Sequence, residues 1–138
     1  MVMKIHVDIV SQEKGIYSGS VAYVRVSGIM GNMGIQYGHA PLLTKLKPGA
    51  VKVVEGSGSK EYFYISGGML EIQPNCVTIL ADMAERADDL DEQALLRAQQ
   101  RAQDLISNAS EDVSKVQTEL ARAVAQLKVI QELRNKDV

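Results

Sequence analysis

The residue types that support catalysis, metal binding or disulfide bonds are scarce in this sequence. It holds one cysteine, Cys76, so no disulfide forms within the chain, and its place beside Val77 in a strand-like run favours a small buried hydrophobe. The two histidines, His6 and His39, lie far apart, and no group of Cys, His and carboxylate residues has metal-ligand spacing. No nucleophile elbow, Walker A loop or dinucleotide-binding glycine motif is present. The sequence therefore argues against an enzyme and against a metal site.

Strong net charge and long hydrophobic runs are also lacking. The formal net charge is −2, which leaves no general basic field to hold nucleic acid or an acidic membrane. No segment approaches the roughly 20 apolar residues that a bilayer-spanning helix needs. His6 and Asp8 interrupt the apolar residues near the start, so the beginning does not read as a secretory signal. We expect a cytosolic protein without nucleic-acid binding or direct membrane insertion, whose contact with a membrane comes through a partner.

Glycine and proline are absent from Asp88 onward, and this absence divides the chain in two. Before about Ala84, apolar and polar residues alternate with a period of two in short runs, as in Ile5 to Val10 and Ala22 to Ser27. Turn residues separate the runs, and residues 56–59 (GSGS) are predicted to form a hairpin loop. The pattern predicts an antiparallel β-sandwich or flattened barrel over residues 1–86, with one face of each strand buried and the other wet.

Residues 87–138 are rich in Ala, Leu, Gln, Glu and Arg, a composition typical of helices. Asp89, followed three residues later by Glu92, predicts a capped first helix from about Leu90 to Ser107. Ser110 is predicted to cap a second helix that runs to about residue 136. Because the break between the helices is short, the sequence predicts an antiparallel helical hairpin.

Apolar residues on both predicted helices follow a heptad-like spacing, which predicts a narrow seam. The seam can close on its partner helix, as in an ordinary hairpin, or open and pair with a helix of another protein. Its many alanines make it shallow, which suits a hairpin that unfolds and packs again elsewhere. The seam residues are Leu95, Ala98, Ala102 and Leu105, then Val113, Val116, Leu120, Ala123, Leu127 and Ile130.

Residues 34–49 carry the most specific pattern in the chain. By residue type they predict a loop, a strand and a Pro-Gly turn, a corner in an all-β domain. The segments GHAPLLT (38–44) and KPG (47–49), with ISGGMLEI (65–72) and VTILA (77–81) downstream, resemble the epsilon subunit of F-type ATP synthases, bacterial type. The order and spacing of these segments match the family, and the resemblance extends over nearly the whole chain.

This resemblance implies a non-catalytic rotor subunit in the central stalk of a proton-translocating F-type ATP synthase, on the cytoplasmic side of the bacterial inner membrane. It implies that the sandwich binds the gamma subunit and the c-ring. It also implies that the hairpin permits rotation when folded down and blocks ATP hydrolysis when extended toward the catalytic beta and alpha subunits. The alternative is a free-standing small-molecule or nucleotide-sensing module with the hairpin as a lid.

The resemblance also assigns two contact surfaces. It places a loop of Met30, Gly31, Asn32 and Met33, together with His39, toward the c-ring, although many relatives have an acid where Asn32 stands. It places Arg122, Lys128 and Arg134 opposite an acidic segment of the beta subunit. We expect these three cations to gain a partner only when the hairpin is extended.

Some bacterial relatives bind ATP at the start of the helical domain, and this chain retains a degenerate form of that motif. Glu85, Asp91 and Arg101 fall at matching positions, but Ala94 replaces the first arginine. Alanine cannot supply the bidentate charge that an arginine gives to a phosphate, and Arg97 lies one turn further along. We therefore expect weak or absent ATP binding and no other cofactor.

Overall fold

A computed structural model of the chain describes residues 3–107 and 113–135, in which ten strands precede a short 3₁₀ turn and two helices. The strands are β1 (Ile5–Ser11), β2 (Gly15–Val21), β3 (Tyr23–Gly28), β4 (Gly31–Ile35), β5 (Leu42–Leu46), β6 (Gly49–Val54), β7 (Lys60–Ile65), β8 (Gly68–Gln73), β9 (Cys76–Ala81) and β10 (Ala84–Arg86). The 3₁₀ turn covers Ala87–Asp89, and the helices are α1 (Glu92–Ser107) and α2 (Val113–Arg134). The predicted order, a β-sandwich followed by a helical hairpin, is confirmed.

The strands form one continuous sheet that folds over on itself, in the order β10-β7-β6-β3-β5-β8-β9-β1-β2, with β4 on β3. Neighbours are antiparallel except β1 and β9, whose parallel pairing the sequence did not predict. Alternate residues point inward as expected: Ile5, Val7 and Ile9 are fully buried, whereas His6 between them is exposed. The main core consists entirely of residues from the strands.

Arg86 joins the two end strands of the sheet where they meet. Its Nη2 donates a hydrogen bond of 2.9 Å to the carbonyl oxygen of Ile16 in β2, and its Nη1 lies 3.1 Å from Glu61 Oε1 in β7. The guanidinium carbon stands 5.3 Å from the centre of the Phe63 ring, which Tyr17 contacts edge-on. These contacts cover sheet edges that would otherwise present unpaired backbone groups. The last strand of the sheet therefore ends at Arg86, before the helices begin.

The first helix begins two residues later than predicted, because Asp91 rather than Asp89 caps it. The Ala94 backbone N–H donates to Asp91 Oδ1 at 3.2 Å, the usual bond of a cap to the third helical residue. Asp89 is instead part of the 3₁₀ turn, and Leu90 is extended, with φ −80° and ψ 132°. The predicted cap Ser110 and the predicted helix end at residue 136 lie outside the described residues.

The seam between the helices is only partly buried. Ala102 and Ala123 are buried, as is Ile130 near the other end of α2. Leu105 is 45% exposed, and the half-buried seam residues are Leu95, Ala98, Val116, Leu120 and Leu127. The helices therefore gain little hydrophobic stabilisation from each other, as the many alanines predicted.

Helix α2 also packs on the outer face of the sheet, which overturns one prediction. Tyr62 and Tyr64 of β7 point away from the main core, and the alternation predicted that they face water. They are 6% and 1% exposed, because they form a second apolar cluster with Ala87 and with Val129 of α2. We call this cluster the docking cluster; Ala50, Met83, Leu90, Ala125 and Leu133 pack against it. Both faces of β7 are thus buried, one by the sandwich and one by the hairpin.

Of two smaller predictions, the hairpin loop is confirmed and the burial of Cys76 is wrong. Residues 56–59 do connect β6 to β7, where the Glu55 N–H donates to the Ser59 carbonyl oxygen and Gly58 takes a positive φ of 94°. Cys76 is half-buried at the start of β9 rather than buried, since the strand emerges from a surface turn there.

Candidate functional site

The contact between the sandwich and α2 is an apolar centre with polar bonds beside it. Gln126, the only buried polar residue among those the structure describes, donates from Nε2 to Glu85 Oε1 at 2.9 Å. Arg25 Nη2 of β3 donates to Glu132 Oε2 at 3.1 Å. Val129 lies between Gln126 and Glu132 along the helix and fills the docking cluster. The hairpin is therefore folded down on the sandwich in this structure.

The apolar centre contributes most of the stabilisation of this contact. Full burial of a side chain such as Val129 contributes about 1.5–3 kcal/mol. The Arg25–Glu132 pair is more than a third exposed on each side, so solvent screens it and it contributes about 1 kcal/mol at most. Loss of the Glu85–Gln126 bond would leave a buried amide without a partner, at about 1–3 kcal/mol. A few residues therefore hold the hairpin down, and the total is small enough for a partner protein to overcome.

Arg122 of α2 lies close enough to Tyr64 to act on its ionisation. Burial raises the pKa of the Tyr64 hydroxyl above its usual value, and the Glu85 carboxylate adds to that rise while Arg122 opposes it. A raised pKa keeps the hydroxyl neutral throughout the physiological range. The docking cluster is therefore not a pH switch through Tyr64.

The turn predicted to face the c-ring is shorter than the sequence suggested. Gly31, Asn32 and Met33 belong to β4, so Ile29 and Met30 alone form a tight turn between β3 and β4. Gly31 has φ of 130°, a conformation that glycine adopts without strain. Asn32 is exposed, whereas Met33 packs against the main core. Of this predicted group, Met30, at 95% exposure, is the most prominent side chain.

His39 and the Met30 turn do not form one cluster, because they lie at opposite ends of β5. The Ile29 N–H bonds to the carbonyl of Lys45 near the end of β5, and the Gly38 N–H bonds to that of Pro74 beside its start. A strand of this length separates the two points by about 13 Å. His39 itself is half-buried, with Nδ1 2.7 Å from the carbonyl oxygen of Ala40.

A set of exposed hydrophobic residues lies at these two ends of β5, and sequence reasoning missed most of it. We call it the apolar edge; it consists of Ile29, Met30, Tyr37, Leu42 and Leu43, which are 38–95% exposed. An apolar pair at the tip of a tight hairpin, where turns favour Gly, Asn and Asp, was the signal in the sequence. Exposed apolar groups in one region mark a contact surface for another protein.

The three basic residues of α2 that the resemblance places opposite the beta subunit have three different surroundings. Arg122 is exposed above Tyr64, and Lys128 is exposed beside the docking cluster. Arg134 makes a bidentate pair with the Glu92 carboxylate of α1. The expectation that all three gain a partner only in the extended state is thus wrong for Arg134, because the hairpin brings Glu92 beside it.

The degenerate ATP motif does not form a site in this structure. Glu85 accepts the Gln126 bond, and Asp91 caps α1. Arg101 is exposed ten residues after Asp91, about 15 Å further along the helix axis. Glu85 and Asp91 therefore have structural explanations, and Arg101 lies apart from both.

We expect isothermal titration of the full chain with ATP to give no saturable heat at micromolar concentrations. An Ala94→Arg variant provides the comparison, because it restores the missing arginine on the same exposed helical turn. A micromolar dissociation constant for the unmodified chain would contradict the interpretation of Glu85 and Asp91 as structural residues.

The described residues contain no group of three or more His, Cys, Asp or Glu side chains that could hold a metal ion. Among the helices in residues 3–107 and 113–135, none is long and apolar enough to cross a membrane.

Comparison with known proteins identifies the family. The family model described as "ATP synthase, Delta/Epsilon chain, beta-sandwich domain" matches residues 4–87, and the one described as "long alpha-helix domain" matches residues 88–131. A curated ATP synthase epsilon chain from Nitrosococcus oceani is 49% identical over 138 residues, covering 99% of both chains.

Two solved structures have a similar fold. A chain of the Euglena gracilis mitochondrial ATP synthase matches with a TM-score of 0.74 and 23% identity, covering 98% of this chain and 82% of that one. A chain from the central stalk and c-ring of the Tetrahymena thermophila enzyme matches with a TM-score of 0.59 and 16% identity, covering 93% and 97%. The membership predicted from GHAPLLT and the segments around it is confirmed: the chain belongs to the ATP synthase delta/epsilon chain family.

Proposed function

We propose that the chain is a non-catalytic rotor subunit in the central stalk of a proton-translocating F-type ATP synthase. In this role it lies peripherally on the cytoplasmic face of a bacterial inner membrane. The sandwich binds the gamma subunit and the c-ring, and the hairpin inhibits ATP hydrolysis when it extends toward the beta and alpha subunits. The observation that carries this proposal is the 49% identity to an epsilon chain over essentially the whole length.

The structure supports a division of labour at residues 86 and 87. The main core contains strand residues only, and Arg86 closes the sandwich without help from the helices. The hairpin is held by the small docking cluster and the bonds of Glu85 and Arg25. Residues 1–86 therefore act as the fixed part, and residues 87–138 as the part that moves.

The apolar edge is the surface that we assign to the c-ring. Met30 protrudes most, and Ile29 and Leu43 extend the contact on either side of it. Asn32 is exposed next to the turn but carries no charge, so the contact at this point depends on apolar packing and hydrogen bonding rather than on an ion pair. Gly31 and His39 fix the backbone around the edge, while Met33 belongs to the core.

Arg122, Lys128 and Arg134 are the basic residues of α2 that we assign to the beta subunit. In a catalytic complex of alpha, beta and gamma subunits, we expect the full chain to lower ATP hydrolysis. Replacing all three residues with Ala should weaken this inhibition several-fold at low salt, and less at high salt because exposed charges are screened. Hydrolysis rates with wild-type and triple-variant chains at two ionic strengths measure the effect.

Glu92→Ala is the control, because it breaks the Arg134 pair inside the hairpin while keeping all three positive charges. Inhibition that is unchanged in the triple variant at both ionic strengths would show that Arg122, Lys128 and Arg134 do not contribute to it. No inhibition by the wild-type chain, together with no binding to gamma, would contradict the proposed function as a whole.

A further inference from the structure

Beside the docking cluster, a groove of about 360 Å³ lies between the sandwich and α2. No ligand has yet been assigned to it. The sandwich contributes Arg25 of β3 and Lys52 of β6, and Tyr62 forms part of its lining. Helix α2 contributes Lys128, Gln131 and Glu132, and Asn135 follows at its end. The volume is at the lower end of the range for small-molecule sites in proteins.

Cations outnumber carboxylates in this groove. Arg25, Lys52 and Lys128 supply three positive charges, and Glu132 supplies one negative charge, so the lining carries a net charge of +2. Burial lowers the pKa of Lys52, and the positive charges of Lys60 and Arg25 lower it further, while Glu132 opposes them. Lys52 therefore stands in a positive field that the Glu132 carboxylate only partly offsets.

Hydrogen-bond donors accompany these charges. The amide side chains of Gln131 and Asn135 line the same groove and can donate to an oxyanion. A phosphate group carries about −1.5 to −2 charges at neutral pH and several acceptor oxygens, which matches both the charge and the donors. A flexible lysine and a planar arginine are the two side chains that proteins commonly use to hold phosphate.

We propose that this groove binds a phosphate group, as inorganic phosphate or as the phosphate of a small monoester, between the sandwich and α2. The anion is held by Arg25 and Lys52 on one wall and by Lys128 on the other, and it takes over part of the role of Glu132. This site is separate from Glu85, Asp91 and Arg101, none of which lines the groove.

A bound phosphate has a consequence for the hairpin. It binds Lys128 of α2 together with Arg25 and Lys52 of the sandwich, so it stabilises the folded-down hairpin by its difference in affinity between the two states. It also occupies Lys128, which the extended hairpin would present to the beta subunit. This regulatory consequence rests on the proposed function, but the binding itself does not.

The binding is tested on the full chain by NMR titration with inorganic phosphate, with chloride at equal ionic strength as the control. We expect saturable shifts in the amide signals around Arg25, Lys52 and Lys128 with phosphate alone. Adenosine monophosphate and adenosine distinguish the source: tighter binding of the monophosphate assigns the site to an ester, and equal or tighter binding of free phosphate assigns it to the ion. Shifts caused equally by chloride, or by adenosine without phosphate, would overturn the proposal.

Variants locate the site. Lys52→Gln and Lys128→Gln should each weaken phosphate binding about fivefold to tenfold, since each removes a charge-assisted contact. Glu132→Gln should strengthen it, because the competing carboxylate is gone. Lys115→Gln, on an exposed part of α2 away from the groove, should leave it unchanged. Equal effects of Lys115→Gln and Lys128→Gln would show unspecific attraction to a basic helix and contradict the proposal.

Hydrogen exchange of the α2 amides in the isolated chain tests the coupling without the rest of the synthase. Phosphate at a concentration that just saturates the wild-type chain should slow exchange in α2, and it should slow exchange less in Lys128→Gln. Binding without slower exchange would overturn the coupling and leave the rotor role untouched. Loss of inhibition in the catalytic complex, with phosphate binding intact, would instead contradict the proposed function and not the site.

Discussion

Replacing Val129 with Asp is expected to release α2 from the sandwich and to make the chain a stronger inhibitor of ATP hydrolysis. Val129 is 1% exposed and packs against Tyr62 and Tyr64, so the substitution removes apolar contacts and buries a carboxylate in an apolar cluster. The folded-down state should lose about 2 kcal/mol or more, which is about a thirtyfold shift toward the released state.

Val124→Asp is the matched control, because the same change is made on the same helix at a position that is 44% exposed. Hydrogen exchange in α2 should become faster in the Val129 variant and stay near wild type in the Val124 variant. In the catalytic complex of alpha, beta and gamma subunits, inhibition should increase for the first variant only. If both variants inhibit equally, the docking cluster does not control the position of the hairpin.

Ending the chain after Ala87 is expected to leave a folded sandwich that binds gamma but no longer inhibits hydrolysis. All residues of the main core precede Ala87, and Arg86 with its bonds to Ile16 and Glu61 is retained. The loss exposes Tyr62 and Tyr64, which reduces stability without removing any core residue. Denaturant unfolding, gamma binding and ATP hydrolysis by the complex measure the three parts of this prediction.

A chain that ends after Met83 is the control for the boundary. It lacks Ala84 of the main core and Arg86 at the sheet edges, so it should be markedly less stable than the chain ending after Ala87. If the longer fragment also fails to fold, the helices are part of the sandwich and the proposed division at residues 86 and 87 is wrong.

Local pattern predicted most of the strands, because each has one face on a single core. Ile5, Val7 and Ile9 show this directly, since a period of two in the sequence appears as a period of two in burial. Tyr62 and Tyr64 follow the same pattern on the outer face of β7, and the prediction that this face is exposed to solvent was wrong. Val129 of the helix that covers them lies more than sixty residues later in the chain, and no local pattern contains that information.

The predicted start of α1 was wrong for a different reason. Asp89 and Asp91 both suit a cap, and Glu92 three residues after Asp89 favoured the first. The chain leaves β10 through a 3₁₀ turn that includes Asp89, so the helix can begin only after the extended Leu90. Small differences in backbone direction decide between two equally good caps.

The candidate site was predictable in part. Family resemblance predicted contact roles for Met30 and for Arg122, Lys128 and Arg134 of α2, whereas periodicity alone predicted neither. Contacts that join distant segments, such as Arg134 with Glu92 and Gln126 with Glu85, require the folded hairpin and could not be read from the sequence. The groove between Lys52 and Lys128 depends on the same packing.

A reversible lock between sandwich and α2 tests the central claim most directly. Cysteines are introduced at Ala50 and Ala125, which line one groove and pack against the docking cluster, to be joined by a disulfide across the interface after Cys76 is replaced by Ser. ATP hydrolysis by the catalytic complex with this chain is measured after oxidation and again after reduction. We expect the oxidised chain to bind gamma without inhibiting, and reduction to restore wild-type inhibition. Equal inhibition in both forms would show that the hairpin inhibits without leaving the sandwich, and would contradict the account.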